Sequence, residues 1–151
     1  MPPTDPRERA DWLGVMALSD PDELARLAAP ILAGETFEAL RAPELGLYMA
    51  QARIDAAGNR FNLAELPVSR CVVRSRHGTA GVGYVSGRRL PMAECIARVD
   101  ALLQAPHLRE AVLARVIRPL ADALAQRRAH EHARAQASRV RFFTLTPDTP
   151  T

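Results

Sequence analysis

The chain has 151 residues, of which 48% are hydrophobic and 25% are charged, which suits one folded domain and argues against wholesale disorder. No apolar run reaches the length of a membrane span, and the first residues do not begin a signal peptide, so we expect a cytoplasmic protein. Two cysteines are too few for a disulfide framework and make a poor metal-binding set.

The charge is unevenly distributed along the chain. All twenty basic residues are arginine, which is typical of a GC-rich bacterial genome. Residues 1–66 contain six arginines and eleven acidic residues, whereas residues 67–151 contain fourteen arginines and six acidic residues. An acidic first half and a basic second half indicate a protein that meets charged surfaces, which need not be nucleic acid.

Two helices are predicted at the start of the chain. Asp5-Pro6 and Asp20-Pro21 each supply an N-cap acid followed by proline at the first helical position. The first helix is expected to run to about residue 18 and to carry Trp12. The second is expected over residues 22–32.

The period of the sequence then changes from helical to alternating and back. Residues 36–41, 46–54, 68–76 and 79–86 are predicted strands of an antiparallel sheet, because their connections are short. A helix follows with Met92, Ile96, Val99 and Leu103 on one stripe and an outer Glu94–Arg98 pair. A further helix is expected to start near residue 106, to be interrupted at Pro119 and to continue to about residue 138.

These elements predict an α+β fold. It has N-terminal helices, a central antiparallel β-sheet with a hairpin at 68–86, C-terminal helices and a short terminal strand or arm. We expect one domain over residues 1–151, with residues 1–5 and 147–151 disordered.

The stretch VSRCVVRSRHG, residues 68–78, concentrates three arginines, a cysteine and a histidine. Because a strand alternates its side chains, the arginines share one face and Cys71 lies on the other. If His77-Gly78 is a two-residue turn, two glycines face the arginines and the second face belongs to the core. The predicted pairs are Arg76–Thr79, Arg74–Gly81, Val72–Gly83 and Arg70–Val85 on the arginine face, and Cys71–Tyr84 and Val73–Val82 on the core face.

None of the candidate reactive groups forms a convincing catalytic or metal site in the sequence. Cys71 is interpreted as a small buried hydrophobic residue, and His77, on the opposite face, as a turn residue. His130 and His132 lie two positions apart on a helix and point about 200° apart, which predicts an exposed surface and not a metal site. We therefore predict no catalytic residue, no metal site and no cofactor on this chain.

The last helix suggests contact with another element. Alanines recur every fourth residue from Ala121 to Ala137, and such a row buries little area but permits close packing. Alanine-rich filling from genome composition explains the same row equally well. The apolar stretch that follows contains Phe142 and Phe143, which we interpret as a docking strand or arm.

The sequence leaves two alternatives to a domain that contacts other proteins. The first is a small arginine-rich nucleic-acid-binding protein, and the second is an autonomous enzyme. The high isoelectric point, about 9.5, and the arginine face favour nucleic-acid binding, but the chain has only seven aromatic residues and the arginine face has none.

Taken from end to end, the sequence resembles the PhnG family, a subunit of the bacterial carbon–phosphorus lyase core complex. The resemblance spans roughly residues 12–146. It rests on the segments LARLAAPIL (24–32), RAPELGLYMAQARID (41–55), FNLAELPVSRCVVR (61–74), GTAGVGYVSGR (78–88), AECIARVDALLQ (93–104) and ASRVRFFTL (137–145).

The resemblance implies a role in phosphonate catabolism within a hetero-oligomeric transferase. Together with PhnI, PhnH and PhnL, the family member replaces the adenine of ATP by methylphosphonate, which gives α-D-ribose 1-methylphosphonate 5-triphosphate. PhnJ, an iron–sulfur subunit, later cleaves the carbon–phosphorus bond. ATP and methylphosphonate are then substrates of the complex, and this chain is expected to be a non-catalytic or assembly subunit, inactive alone. The residues predicted to contact a partner or an anion are Arg70, Arg74, Arg76, Phe142 and Phe143.

Overall fold

The computed structural model describes residues 5–53 and 58–137. Two helices precede a three-stranded antiparallel sheet in the order β1-β2-β3, and a helical segment follows it, so the predicted α+β class is confirmed. The elements are α1 (Pro6–Leu18), α2 (Pro21–Leu32), β1 (Phe37–Arg53), β2 (Arg60–Ser75), β3 (Ala80–Ser86), α3 (Leu90–Leu103), α4 (Pro106–Val112), a π-helical turn (Leu113–Ile117) and α5 (Arg118–Ala137).

Both N-terminal helices begin at the predicted Asp-Pro pairs. The side chain of Asp5 accepts a hydrogen bond from the backbone of the first turn of α1 at 2.9 Å, and Asp20 accepts two such bonds in α2. Proline at the first helical position has no N–H that would need a partner there. The first helix ends at Leu18, as the sequence predicts.

The prediction of two separate strands over 36–41 and 46–54 is wrong, because β1 runs through both. Proline is tolerated at position 43 because β1 is an edge strand, and the pairing with β2 shifts register between Arg41 and Glu44. The second strand is also longer than predicted, since it begins at Arg60 and not at Val68.

The predicted two-residue turn at His77-Gly78 is wrong by one residue. Ser75 and Thr79 form the last pair, with the Ser75 N–H 2.9 Å from the Thr79 carbonyl oxygen, so the loop has three residues. Its last residue, Gly78, has φ = 83°, the left-handed conformation that such a loop requires. The pairs observed include Cys71–Gly83, Val73–Gly81, Val72–Val82, Arg70–Tyr84 and Arg74–Ala80.

This shift exchanges the two faces of β3. Gly81 and Gly83 lie on the core face, and Tyr84, predicted to be in the core, is 50% exposed beside Arg70. A Cβ atom built on Gly83 would lie 1.8 Å from the carbonyl oxygen of Ala93 in α3. Glycine at this position therefore lets α3 pack closely on the sheet.

The core lies between the sheet and the helices. The predicted faces of β2 are confirmed, since Cys71 and Val73 are buried, whereas Val82, also predicted for the core, is half-buried on the other face. The predicted stripe of α3 is buried in full, and its outer Glu94–Arg98 ion pair is formed. The largest buried side chains of the core are Trp12, Met16, Leu24, Ile96, Leu102, Leu103 and Leu120.

The predicted interruption at Pro119 is a π-helical turn and not a break. Proline has no N–H to donate and its ring clashes with the carbonyl of the preceding turn, so an α-helix cannot pass through it undisturbed. The turn Leu113–Ile117 absorbs the mismatch, and the chain continues directly into α5.

A buried carboxylate, which the sequence analysis did not single out, joins three parts of the fold. Asp100 of α3 is fully buried, and Arg9 approaches it with Nη2 2.7 Å from Oδ2 and Nε 3.2 Å from Oδ1. The indole N–H of Trp12 donates to Oδ1 at 2.9 Å, and the backbone N–H of Val82 donates to Oδ2 at 2.9 Å. This network ties α1 and β3 to α3, and its charge is compensated by hydrogen bonds on both oxygens.

Candidate protein interface

The three arginines predicted to bind a partner or an anion all lie beside glutamates of the same chain. Their side chains remain about half exposed, and such exposed pairs contribute little to stability. The hydrogen bond from Arg70 holds the pKa of Glu44 below its usual value. The pairs are Arg70 Nε–Glu44 Oε1 at 2.7 Å, Arg74 Nη1–Glu38 Oε2 at 3.6 Å and Arg76 Nε–Glu35 Oε2 at 3.8 Å.

The outer face of the sheet is consequently a surface of alternating charge. The positive patch that a nucleic-acid backbone needs is interrupted by these glutamates, so the geometry does not favour the nucleic-acid alternative. On β3, Arg70 faces Tyr84 and Arg74 faces Ala80, and not the predicted glycines. Arginine forks beside carboxylates and an aromatic ring form a mixed surface of the kind found in protein contacts.

The exposed apolar residues are concentrated on the sheet. Of the ten large hydrophobic side chains exposed within the described residues, only Leu18 lies outside it. A surface concentration of this kind marks a site of protein contact more often than chance exposure does. The nine on the sheet are Leu40, Leu45, Leu47, Tyr48, Met49, Phe61, Leu63, Leu66 and Tyr84.

Six of these nine lie on a two-stranded extension formed by residues 46–53 and 60–67, which we call the β-arm. It extends past the last pair of β2 with β3, Val68–Ser86, so no third strand of the described residues accompanies it. By alternation, Leu47 and Met49 lie on one face, and Tyr48 and Leu66 on the other. An isolated pair of strands is marginally stable in water, which makes the β-arm a segment suited to contact with another polypeptide.

The sequence analysis missed the β-arm, although the sequence contains a signal for it. Leu47, Tyr48 and Met49 are consecutive, so an extended chain must place apolar side chains on both faces. Residues 60–67 were not assigned to a strand, so the apolar run at 47–49 had no predicted strand to pair with.

The cysteines and histidines have structural surroundings. Cys71 is 1% exposed in the core, as predicted, and burial raises its thiol pKa. Burial also raises the pKa of Cys95 to about 11, which keeps it a neutral thiol. The ring of His77 lies 3.1 Å from Glu35 and makes an edge contact with His107, so it does more than occupy the turn. Within residues 5–53 and 58–137, no group of three acidic, histidine or cysteine side chains could hold a metal ion.

The second half of α5 carries few contacts with the rest of the described chain. Residues 125–136 are exposed, including His130 and His132, as predicted. Of the alanine row, Ala121 is half-buried and Ala125 is exposed, in keeping with a seam that buries little area. Phe142 and Phe143 and the predicted terminal strand lie outside the described residues.

No helix of the part of the chain that the structure describes combines the length and the apolar character needed to cross a membrane. The fold and its surfaces define an α+β domain whose sheet exposes a concentration of apolar side chains, which is typical of proteins that bind other polypeptides.

The chain belongs to the PhnG family: the family model for phosphonate metabolism protein PhnG matches residues 7–147. A relative from Rhizobium meliloti (strain 1021), alpha-D-ribose 1-methylphosphonate 5-triphosphate synthase subunit PhnG, is 41% identical over 113 residues, covering 70% of this chain and 67% of the relative. The resemblance described from the sequence segments is thereby confirmed.

Proposed function

We propose that this chain is the PhnG subunit of an alpha-D-ribose 1-methylphosphonate 5-triphosphate synthase and that it serves in assembly. The family match over residues 7–147 carries this proposal, together with the relative that bears the name of this synthase subunit. The exposed apolar sheet supports the assembly role, because a subunit needs such a surface where its partners bind.

In this proposal, ATP and methylphosphonate react in a cytoplasmic complex of this chain with PhnI-, PhnH- and PhnL-like subunits, and a PhnJ-like subunit acts on the product. Adenine leaves as methylphosphonate takes its place on the ribose, so the reaction is a transfer. The contribution of this chain is to hold its partners in place, and it is inactive alone.

The first test is release of adenine from ATP in the presence of methylphosphonate. We expect the complex made by co-expressing this chain with its partner subunits to release adenine. The same preparation made without this chain is expected to lose at least nine-tenths of that activity. The purified chain alone is the control and is expected to release none. Adenine release by the isolated chain would contradict the assembly role, and full activity without it would contradict its membership of the synthase.

We further propose that Arg70, Arg74 and Arg76, with Phe142 and Phe143, contact a sister subunit. An arginine fork can bind a partner carboxylate bidentately while it remains beside its own glutamate. The polyphosphate of the nucleotide is a second anion of suitable geometry.

Reversing the charge at Arg74 is expected to reduce co-purification of the partner subunits about tenfold, which corresponds to about 1.4 kcal/mol. Arg74→Glu places a second carboxylate beside Glu38 on the sheet. The measurement is the yield of partner subunits retained on a tagged variant, and Arg26→Glu on α2 is the matched control. Wild-type yield and turnover for Arg74→Glu would remove Arg74 from the interface.

A further inference from the structure

The two edges of the sheet differ in whether side chains are hydrogen-bonded to their outward-directed backbone groups. At the β3 edge, the Val82 N–H donates to Asp100, and Gln104 Nε2 donates to the Ala80 carbonyl oxygen at 2.6 Å. Side chains of α3 thus occupy backbone groups to which another strand could otherwise pair. Within the described residues, no hydrogen bond of this kind covers the β1 edge over 45–49, where Leu45, Leu47, Tyr48 and Met49 are exposed.

The open part of β1 has regular strand geometry over residues 44–50. Register shifts flank this stretch, one between Arg41 and Glu44 and one between Ala50 and Gln51, and none lies within it. Shifts of this kind normally protect an edge from pairing, so their absence between these points leaves a continuous stretch that can accept a strand.

The direction of the backbone groups in this stretch follows from the neighbouring strand. The Gly87 N–H donates to the Pro67 carbonyl oxygen at 2.7 Å, so this carbonyl is directed away from β1. The hydrogen-bonding groups of the backbone alternate in direction along a strand. Those of Leu66 are therefore directed toward β1, where they pair with those of Tyr48. The outward-directed groups of β1 are therefore those of its odd-numbered residues, Leu45, Leu47 and Met49.

The far end of the β-arm adds a charge preference. Arg53 and Arg60 are direct partners in the register, so two guanidinium groups lie at this end of β1 and β2. They help to line an open depression of about 340 Å³ at this end of β1, whose other lining residues are Tyr48, Met49, Gln51 and Ala52. The other lining residues are uncharged, so an acidic side chain that enters this depression would meet two guanidinium groups.

We propose that residues 45–49 of β1 pair with an extended segment of a sister subunit, which adds a fourth strand to the sheet. The segment carries apolar side chains on both faces, to match those of the β-arm, and an acidic side chain that reaches Arg53 and Arg60. Main-chain hydrogen bonds supply the affinity of such strand addition, and the alternating side chains supply its specificity. The identity of the donor as a sister subunit rests on the proposed function.

The test compares two substitutions of one residue in the co-expressed complex. Leu47→Pro removes one outward N–H and leaves the bonds of β1 to β2 in place, whereas Leu47→Val retains the donor. We expect Leu47→Pro to lower the retained partner subunits at least tenfold and Leu47→Val to change them less than threefold. Equal retention by the two variants would overturn strand addition. Failure of the wild-type chain to retain any partner would instead contradict the proposed function.

Amide hydrogen exchange in the wild-type complex tests the pairing without any substitution. In the isolated chain, the amides of Leu45, Leu47 and Met49 are expected to exchange quickly, and those of Tyr48 and Ala50 slowly. Complex formation should slow the first three at least tenfold. If they stay fast while the side chains of the β-arm become buried, the arm docks by its faces alone and the proposal is wrong.

Arg60→Glu is expected to lower the retained partner subunits about tenfold, because it removes a positive charge from the depression. An unchanged yield would contradict the contact between this depression and an acidic side chain of the partner.

The oligomeric state of the isolated chain is a further check. A dimer that Leu47→Pro dissociates would assign the β1 edge to a second copy of this chain and overturn the proposal.

Discussion

Replacing Gly83 by alanine is expected to lower the free energy of unfolding by about 3 kcal/mol, or about 6–12 °C in Tm. A Cβ atom at this position would lie 1.8 Å from the Ala93 carbonyl oxygen and 3.0 Å from the Ala97 amide nitrogen. Both atoms belong to the backbone of α3, so no side-chain rotation can relieve the overlap and the helix must move away from the sheet. Urea or thermal unfolding measures the change.

Gly14→Ala is the matched control, because it makes the same chemical change inside α1, where nothing outside the adjacent backbone of the helix lies within 4 Å of the new methyl group. Alanine is the better helix former, and we expect this variant to be more stable by about 0.5–1 kcal/mol. The two substitutions should therefore have opposite signs. Equal stability of Gly83→Ala and the wild type would show that α3 does not pack on the sheet at this distance.

Removing the buried carboxylate in Asp100→Ala is expected to cost about 3–5 kcal/mol. The indole N–H of Trp12 and the backbone N–H of Val82 would lose their acceptor inside the core. The guanidinium of Arg9, whose side chain is 31% exposed, would lose its carboxylate partner and would have to reorient toward water. Chemical denaturation of the full chain measures the loss.

Two further variants separate this network from a general effect of removing an acid. Asp122→Ala removes an exposed carboxylate from α5 and is expected to change stability by less than about 0.5 kcal/mol. Trp12→Phe removes one donor of the network and should cost about 1 kcal/mol from the lost hydrogen bond. A similar effect of Asp100→Ala and Asp122→Ala would contradict a stabilising role for the buried network.

The candidate interface was predictable in part. The parity of VSRCVVRSRHG places Arg70 and Arg74 outside and Cys71 inside, and the structure confirms both faces of β2. The glutamate partners of these arginines could not be read from the sequence, because Glu38 and Glu44 reach them only through the register of β1, which shifts twice before Glu44. The β-arm was missed because residues 60–67 were not assigned to a strand, and Pro43 indicated a break in β1 where an edge strand in fact continues.

Local signals in the sequence determined where the first two helices begin, which faces of β2 and α3 are buried, and the family to which the chain belongs. These features depend on side-chain periodicity and on capping groups a few residues apart. The tertiary structure alone decided the register of β3 and the ion pairing of the outer face. It also decided the burial of Asp100 among groups from α1 and β3. The ion pairs and the burial of Asp100 depend on contacts between residues far apart in sequence. The register of β3 depends on one additional residue in the hairpin loop, and this shift of one position moves every side chain of the strand to the other face.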